Sequence, residues 1–219
     1  MSASDQVLVF DMDGVLVDVS ESYRETIVRT VQHFTGKTIT RTQIQDYKNQ
    51  GGWNNDWALS QKICKDQGVD LPYATVVDYF NYLFLDQGMI HRERWLPRHG
   101  LLDRLGAKFE LAIFTGRTTE EAEITLNRQG VRDRFLLITA NDVECEKPAP
   151  DGLLKIASLR PSKRLLYVGD TVDDARCARA ANVPFIGIAA PAHERRAEIL
   201  DLFHQEGAIQ VLGDINEIG

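Results

Sequence analysis

Asp11 and Asp13 are carboxylates separated by one residue, preceded by the apolar run Val7-Leu8-Val9-Phe10 and followed at once by Gly14. Alternation along an extended chain sends both acids to the same side. Two acids held together are costly unless a cation or a proton is shared between them. Asp and Gly are also turn formers, so this pattern by itself says no more than a turn. The same arrangement of an apolar run ending in polar residues recurs downstream. The run 109–114 ends in Thr115-Gly116-Arg117, and 165–168 ends in Gly169-Asp170-Thr171-Val172-Asp173-Asp174. Lys147 follows the run 135–139. Singly, Thr115 reads equally as a helix N-cap, Lys147 as a solvated charge and Asp170 as a turn acid. Four such features at the ends of buried strands are hard to assign to chance.

Together these residue types suit phosphoryl transfer. A carboxylate can attack phosphorus to give an aspartyl phosphate. A second acid two residues on can protonate the leaving oxygen and later activate water. Mg²⁺ takes oxygen ligands, which Asp11 and Asp170 offer. Thr115 and the backbone N–H groups beside it can hold phosphate oxygens, and Lys147 can neutralise charge on the transferred group.

The elements that must position them follow from periodicity. Short apolar runs rich in β-branched residues read as parallel strands buried on both faces. Helical patterns between them close at Gly106 and Gly130 and cover 118–129, 151–159, a stretch from Ala175, and 193–205, with a last strand at 209–212. The expectation is α/β, a Rossmann-like parallel sheet in a three-layer α/β/α core with right-handed crossovers. All strand carboxyl ends then meet at one edge, where ligands bind. Residues 20–89 break this rhythm. They show helical patterns at 20–36, from Thr40, at 56–67 and from Pro72, and no strand. That is too long for a loop, so residues 18–92 are expected to form an inserted helical domain, with 1–17 and 93–219 as the core. Within the insert, 48–57 combines glycines, asparagines, Lys48 and two tryptophans. Lys48, Asn49 and Trp53, with Arg117 beside Thr115, are its candidate specificity residues, while Trp57 reads as packing.

Across 219 residues the net charge is −7, which argues against a nucleic-acid partner, since such a binder displaces counterions with a basic face. No apolar run approaches the ~20 residues of a membrane span, and the first residues lack a signal-peptide plan, so the expectation is a cytoplasmic protein with no membrane partner. Cys64, Cys145 and Cys177 form no metal-like pair and read as buried or incidental thiols in a reducing compartment. The run His193-Glu194-Arg195-Arg196 reads as a solvated helix face.

The ordered set Asp11-Met12-Asp13-Gly14-Val15, Thr115-Gly116-Arg117, Lys147-Pro148 and Gly169-Asp170-Thr171-Val172-Asp173-Asp174 resembles the four motifs of the haloacid dehalogenase superfamily over nearly the whole chain. The resemblance implies Asp11 as nucleophile and Asp13 as acid/base, the latter also lending its backbone carbonyl to Mg²⁺. It implies Thr115 and Gly116 on the phosphate, Lys147 orienting nucleophile and phosphate, and Asp170 on the metal. The remaining metal-supporting acid falls on Asp174, with Asp173 adjacent and able to share the task. Carbon–halogen cleaving members lack the second acid of the first motif, and Asp13 is present here. An insert between the first two motifs is the helical cap type of phosphoglycolate-phosphatase-like and β-phosphoglucomutase-like proteins. In those the cap closes over the site, with hinges expected here near 17–20 and 88–93. The implied activity is hydrolysis of a small phosphorylated metabolite. A phosphomutase or a non-catalytic phosphometabolite-binding module are the alternatives.

Overall fold

The computed structural model describes residues 5–193 and 195–219. Residues 1–4 and Glu194 lie outside them, and with them most of the N-terminal segment and one member of the 193–196 run. The chain divides into two compact units, one formed by residues up to Val17 with Trp95–Gly219, the other by Asp18–Arg94.

The first unit is built on six parallel strands: β1 (Gln6–Phe10), β4 (Glu110–Phe114), β5 (Leu136–Ile138), β6 (Arg164–Gly169), β7 (Phe185–Ile188) and β8 (Gln210–Leu212). Their order is β5-β4-β1-β6-β7-β8. The α/β class expected from the apolar runs is thus found. Val7 to Phe10 are wholly buried, as the unbroken apolar run requires of a strand covered on both faces. Helices α5 (Leu101–Gly106), α6 (Thr119–Arg128), α7 (Asp151–Leu159), α8 (Val172–Ala180) and α9 (Arg196–Gln205) connect the strands. Phe114, Ile156, Tyr167, Phe185 and Phe203 sit among the buried residues of this unit's core.

Strand order reverses at β1, which is flanked by β4 and β6, and ligands of open α/β sheets bind at such a switch point. Phe10 lies opposite Ile113 on one side and Val168 on the other. The Asp11 N–H donates to Val168 O at 2.8 Å, carrying the pairing one residue past β1. Asp11 therefore leaves the sheet between two anchored neighbours.

The second unit contains α1 (Tyr23–Thr35), α2 (Arg41–Gln50), α3 (Asp56–Asp66) and α4 (Tyr73–Asn81), the last continuing into one π turn at Tyr82–Asp86. Tyr23, Ile27 and Val31 recur every four residues and are all buried, so α1 turns one apolar stripe inward. Tyr23 packs 4.0 Å from Phe84 between ring centroids. Trp57 packs edge-on to Phe80 and donates its indole N–H to Asn81 Oδ1 at 3.1 Å, which is the packing role expected of it. Two-residue strands, β2 (Val17–Asp18) and β3 (Arg94–Trp95), pair where the chain passes between the units, a feature too short to leave a sequence pattern.

Several helix boundaries differ from expectation, among them the start of α1, at Tyr23 rather than Ser20. Helix α8 starts at Val172 rather than Ala175, and α9 at Arg196 rather than His193. For α8 the reason is a capping box. Thr171 Oγ1 accepts from the Asp174 N–H, and Asp174 Oδ2 accepts from the Thr171 N–H and hydroxyl. No helix among the described residues is long and apolar enough to cross a membrane.

Candidate active site

Beyond β1 the chain makes a tight turn. Met12 O accepts from the N–H groups of Leu16 and Val17 at 2.8 and 2.9 Å, and the Gly14 N–H donates to Val17 O. Gly14 has φ +74°, and a Cβ there would stand 1.9 Å from Asp170 Oδ2. The missing side chain is what lets the Asp170 carboxylate approach the turn. Gly14→Ala is expected to lower divalent-cation affinity at least tenfold in calorimetric titration. Gly130→Ala carries the comparable strain of φ +67° with nothing within 4 Å of its Cβ, and is expected to leave that affinity unchanged.

The Lys147 ammonium is buried and joins two carboxylates, Asp11 Oδ1 at 2.8 Å and Asp174 Oδ1 at 2.8 Å. It also sits 5.0 Å from the Phe114 ring centre and 5.5 Å from that of Tyr167. Burial works against its charge, but the two carboxylates reverse this and raise its pKa. Asp174 is fixed at both oxygens, because Tyr167 Oη donates to Oδ1 at 2.6 Å and Thr171 binds Oδ2. Burial pushes Asp174 up, yet Lys147 and the hydrogen bonds from Lys147, Tyr167 and Thr171 hold it below the usual range. Asp11 goes the other way. Burial pushes it up to about 7, Lys147 offsetting only part of this while Asp174 and Asp13 add to it.

One oxygen from each of Asp11, Asp170 and Asp174 lies within 4.8 Å of the others. With Asp13, four carboxylates face two cations, Lys147 and Arg117, a surplus of two negative charges when all are ionised. A hard divalent cation fits both the oxygen donors and that surplus. The cluster contains Asp174 and not Asp173. The Asp13 carboxylate is not in the cluster. Protons compete with metal for Asp11, so affinity is expected to fall as pH drops below about 7, with proton release on binding. Calorimetry of Mn²⁺ binding from pH 5 to 8 checks this, and a flat profile contradicts it.

Thr115 leaves β4 almost fully buried, its N–H donating to Ile138 O at 3.1 Å and its Oγ1 accepting from the Arg117 N–H at 3.2 Å. The Thr115 O–H and Gly116 N–H are the donors this turn offers an anion. Arg117 is buried, and its Nε and Nη2 reach Asp13 Oδ1 at 2.8 and 2.5 Å.

The structure thus brings Asp11, Asp13, Thr115, Gly116, Arg117, Lys147, Asp170 and Asp174 together within the first unit. Within the second, Lys48 Nζ pairs with Asp56 Oδ1 at 2.7 Å, Asn49 is buried and accepts from Gln45 Nε2, and Trp53 stands edge-on to Tyr47. Tyr167 was missed by sequence reasoning, because a tyrosine inside an apolar strand gives no sign that its hydroxyl bonds a carboxylate.

The family described as haloacid dehalogenase-like hydrolase matches residues 8–188. An imidazoleglycerol-phosphate dehydratase of Phytophthora nicotianae is 32% identical over 87% of this chain, which spans only 45% of that relative's length. A phosphoglycolate phosphatase of Colwellia psychrerythraea is 23% identical over 84% of each chain. A solved haloacid dehalogenase-like protein from Agrobacterium tumefaciens superposes with a TM-score of 0.75 at 21% identity, covering 99% of this chain and 96% of that one, a likeness of fold. With the acid pair after β1, the buried lysine and the carboxylate cluster on one sheet edge, the match over most of the chain places it in the haloacid dehalogenase-like hydrolase family.

Proposed function

We propose that this chain, a phosphatase of haloacid dehalogenase type, hydrolyses monoesters of small phosphorylated metabolites through an aspartyl phosphate, with Mg²⁺ at the Asp11–Asp170–Asp174 cluster. The observation that carries this is the separate bracing of two carboxylates two residues apart, Asp11 by Lys147 and Asp13 by Arg117. Binding alone needs no such pair of differently held acids. In the first step Asp11 attacks phosphorus and the P–O ester bond breaks. Asp13 gives its proton to the departing alkoxide oxygen. In the second, Asp13 takes a proton from the water that attacks the acyl phosphate, releasing inorganic phosphate and regenerating the Asp11 carboxylate. Thr115 and the Gly116 N–H hold phosphoryl oxygens, and Lys147 balances the charge that develops on them. Bound Mg²⁺ would lessen the repulsion between the nucleophile and the dianionic ester. The helical unit Asp18–Arg94 is assigned the choice among esters, as a cap, through Lys48, Asn49 and Trp53.

The test is phosphate release from a panel of cytoplasmic metabolites and related compounds, with and without Mg²⁺. It includes 2-phosphoglycolate, imidazoleglycerol phosphate, hexose phosphates, pyrophosphate and p-nitrophenyl phosphate. Metal-dependent release is expected from some monoesters. Isomerised hexose phosphate without free phosphate would show a mutase, and binding without either product a non-catalytic module.

A further inference from the structure

We propose that Arg117 is a positioning residue for Asp13, fixing that carboxylate in the orientation from which it passes a proton to the leaving group and takes one from water. This rests on the reading of Asp13 as acid/base. The Arg117 side chain is 1% exposed, and two of its nitrogens converge on a single oxygen, Asp13 Oδ1. Its third, Nη1, donates to Thr125 Oγ1 at 3.0 Å, on the buried side of α6. The guanidinium is therefore held at both ends, and a planar group held in this way fixes where the oxygen it binds can sit. Both bonds to Asp13 fall on Oδ1. The Asp13 side chain is 32% exposed, against 9% for Asp11, so Asp13 is the acid of the pair with the greater access to water.

The same residue reaches the phosphate side of the site. Its backbone N–H donates to Thr115 Oγ1, and its carbonyl accepts from the Ala140 N–H at 3.0 Å. Glu121, buried one turn into α6, accepts at Oε2 from the Thr118 N–H and hydroxyl, closing the cap that starts this helix, and its charge also faces Arg117. Arg117 thus ties the hydroxyl offered to phosphate and the acid offered to the leaving group into one rigid turn. An ion pair that only pinned the turn after β1 against α6 would affect stability, or all substrates alike. A positioning role predicts a dependence on the leaving group.

The experiment compares an alkyl ester, 2-phosphoglycolate, with an aryl ester, p-nitrophenyl phosphate, in the full chain and in Arg117→Gln, Arg117→Lys and Thr125→Val. Acid quenching traps any phosphoenzyme. Alkoxide departure needs the proton, whereas nitrophenolate departs without it. For Arg117→Gln, kcat/KM on the alkyl ester is expected to fall about 10²–10³-fold. On the aryl ester kcat/KM is expected to hold within about threefold while kcat falls and phosphoenzyme accumulates, because water is no longer activated. Arg117→Lys should recover part of the loss, having the charge without the fork. Thr125→Val keeps the guanidinium and nearly the same volume. It is expected to show the same leaving-group split at about tenfold, and it carries the test should Arg117→Gln fail to fold. Equal losses on both esters without trapped phosphoenzyme, or unchanged kinetics in Thr125→Val and the Arg117 variants, overturn the proposal while an active wild type leaves the phosphatase reading standing. A wild type inactive on every ester overturns both.

Discussion

Asp11→Asn is expected to lower turnover by a factor on the order of ~10⁴ or more while leaving the protein folded, with no phosphoenzyme trapped on any ester. An amide is nearly the size of the carboxylate but cannot attack phosphorus. The structure also predicts little cost in stability. Asp11 is buried beside Asp174 and Asp13, and burial with its acidic neighbours pushes it up to about 7 despite Lys147. Replacing it with a neutral group relieves that crowding, and Lys147 keeps its 2.8 Å contact with Asp174 Oδ1. The melting temperature should therefore stay within a few degrees of wild type or rise. Asp13→Asn gives the contrast, since phosphoenzyme should accumulate from p-nitrophenyl phosphate when only the proton-handling acid is missing. Residual metal-dependent turnover of Asp11→Asn above about 1% of wild type would remove Asp11 from the nucleophile's role.

How legible this site was in the sequence depended on distance along the chain. Asp11, Thr115 and Asp170 could be placed because each directly follows an apolar run, and a parallel sheet sends every such end to one edge. The pairings among side chains could not. Lys147 and Asp11 are 136 residues apart, and Arg117 and Asp13 are 104 apart. Periodicity reports which face of an element is buried, not which polar atoms meet across elements. Arg117 shows the limit well. Its place beside Thr115 made it a specificity candidate, whereas its side chain is buried and bonded to Asp13 and Thr125. The start of α8 was misplaced for a different reason. Asp173 and Asp174 interrupt the apolar pattern and so resemble loop, yet both lie in the first turn of α8 and are buried. The Thr171-x-x-Asp174 spacing was the available signal, and it both starts the helix and aims Asp174 at Lys147.

Lys147→Met is expected to cost roughly 3–5 kcal/mol at neutral pH, because breaking a buried pair leaves its charges uncompensated. Here one ammonium serves two carboxylates, each at 2.8 Å, so its loss strands both Asp11 and Asp174. Methionine fills similar space and suits the Phe114 and Tyr167 rings that the lysine now overlies, so lost packing is a small part of the effect. The pH dependence separates the two causes. Asp11 already lies well above its ordinary 3.8, and Asp174 is kept below the usual range only by Lys147 and its hydrogen bonds. Without the lysine both rise, so the folded state binds protons that the unfolded chain releases once pH exceeds about 4. Stability then falls as pH climbs through the window between the unfolded and folded values. The deficit relative to wild type should be smallest near pH 4–5 and widest at pH 8, measured by urea denaturation at each pH. A deficit constant across that range would mean the lysine is held for its packing and not for its charge. On the proposed mechanism the same charge predicts that a neutral residue in its place will not support turnover. As phosphate approaches Asp11, two like charges are brought together, and the group that already neutralises the nucleophile at 2.8 Å is the one placed to neutralise the pair.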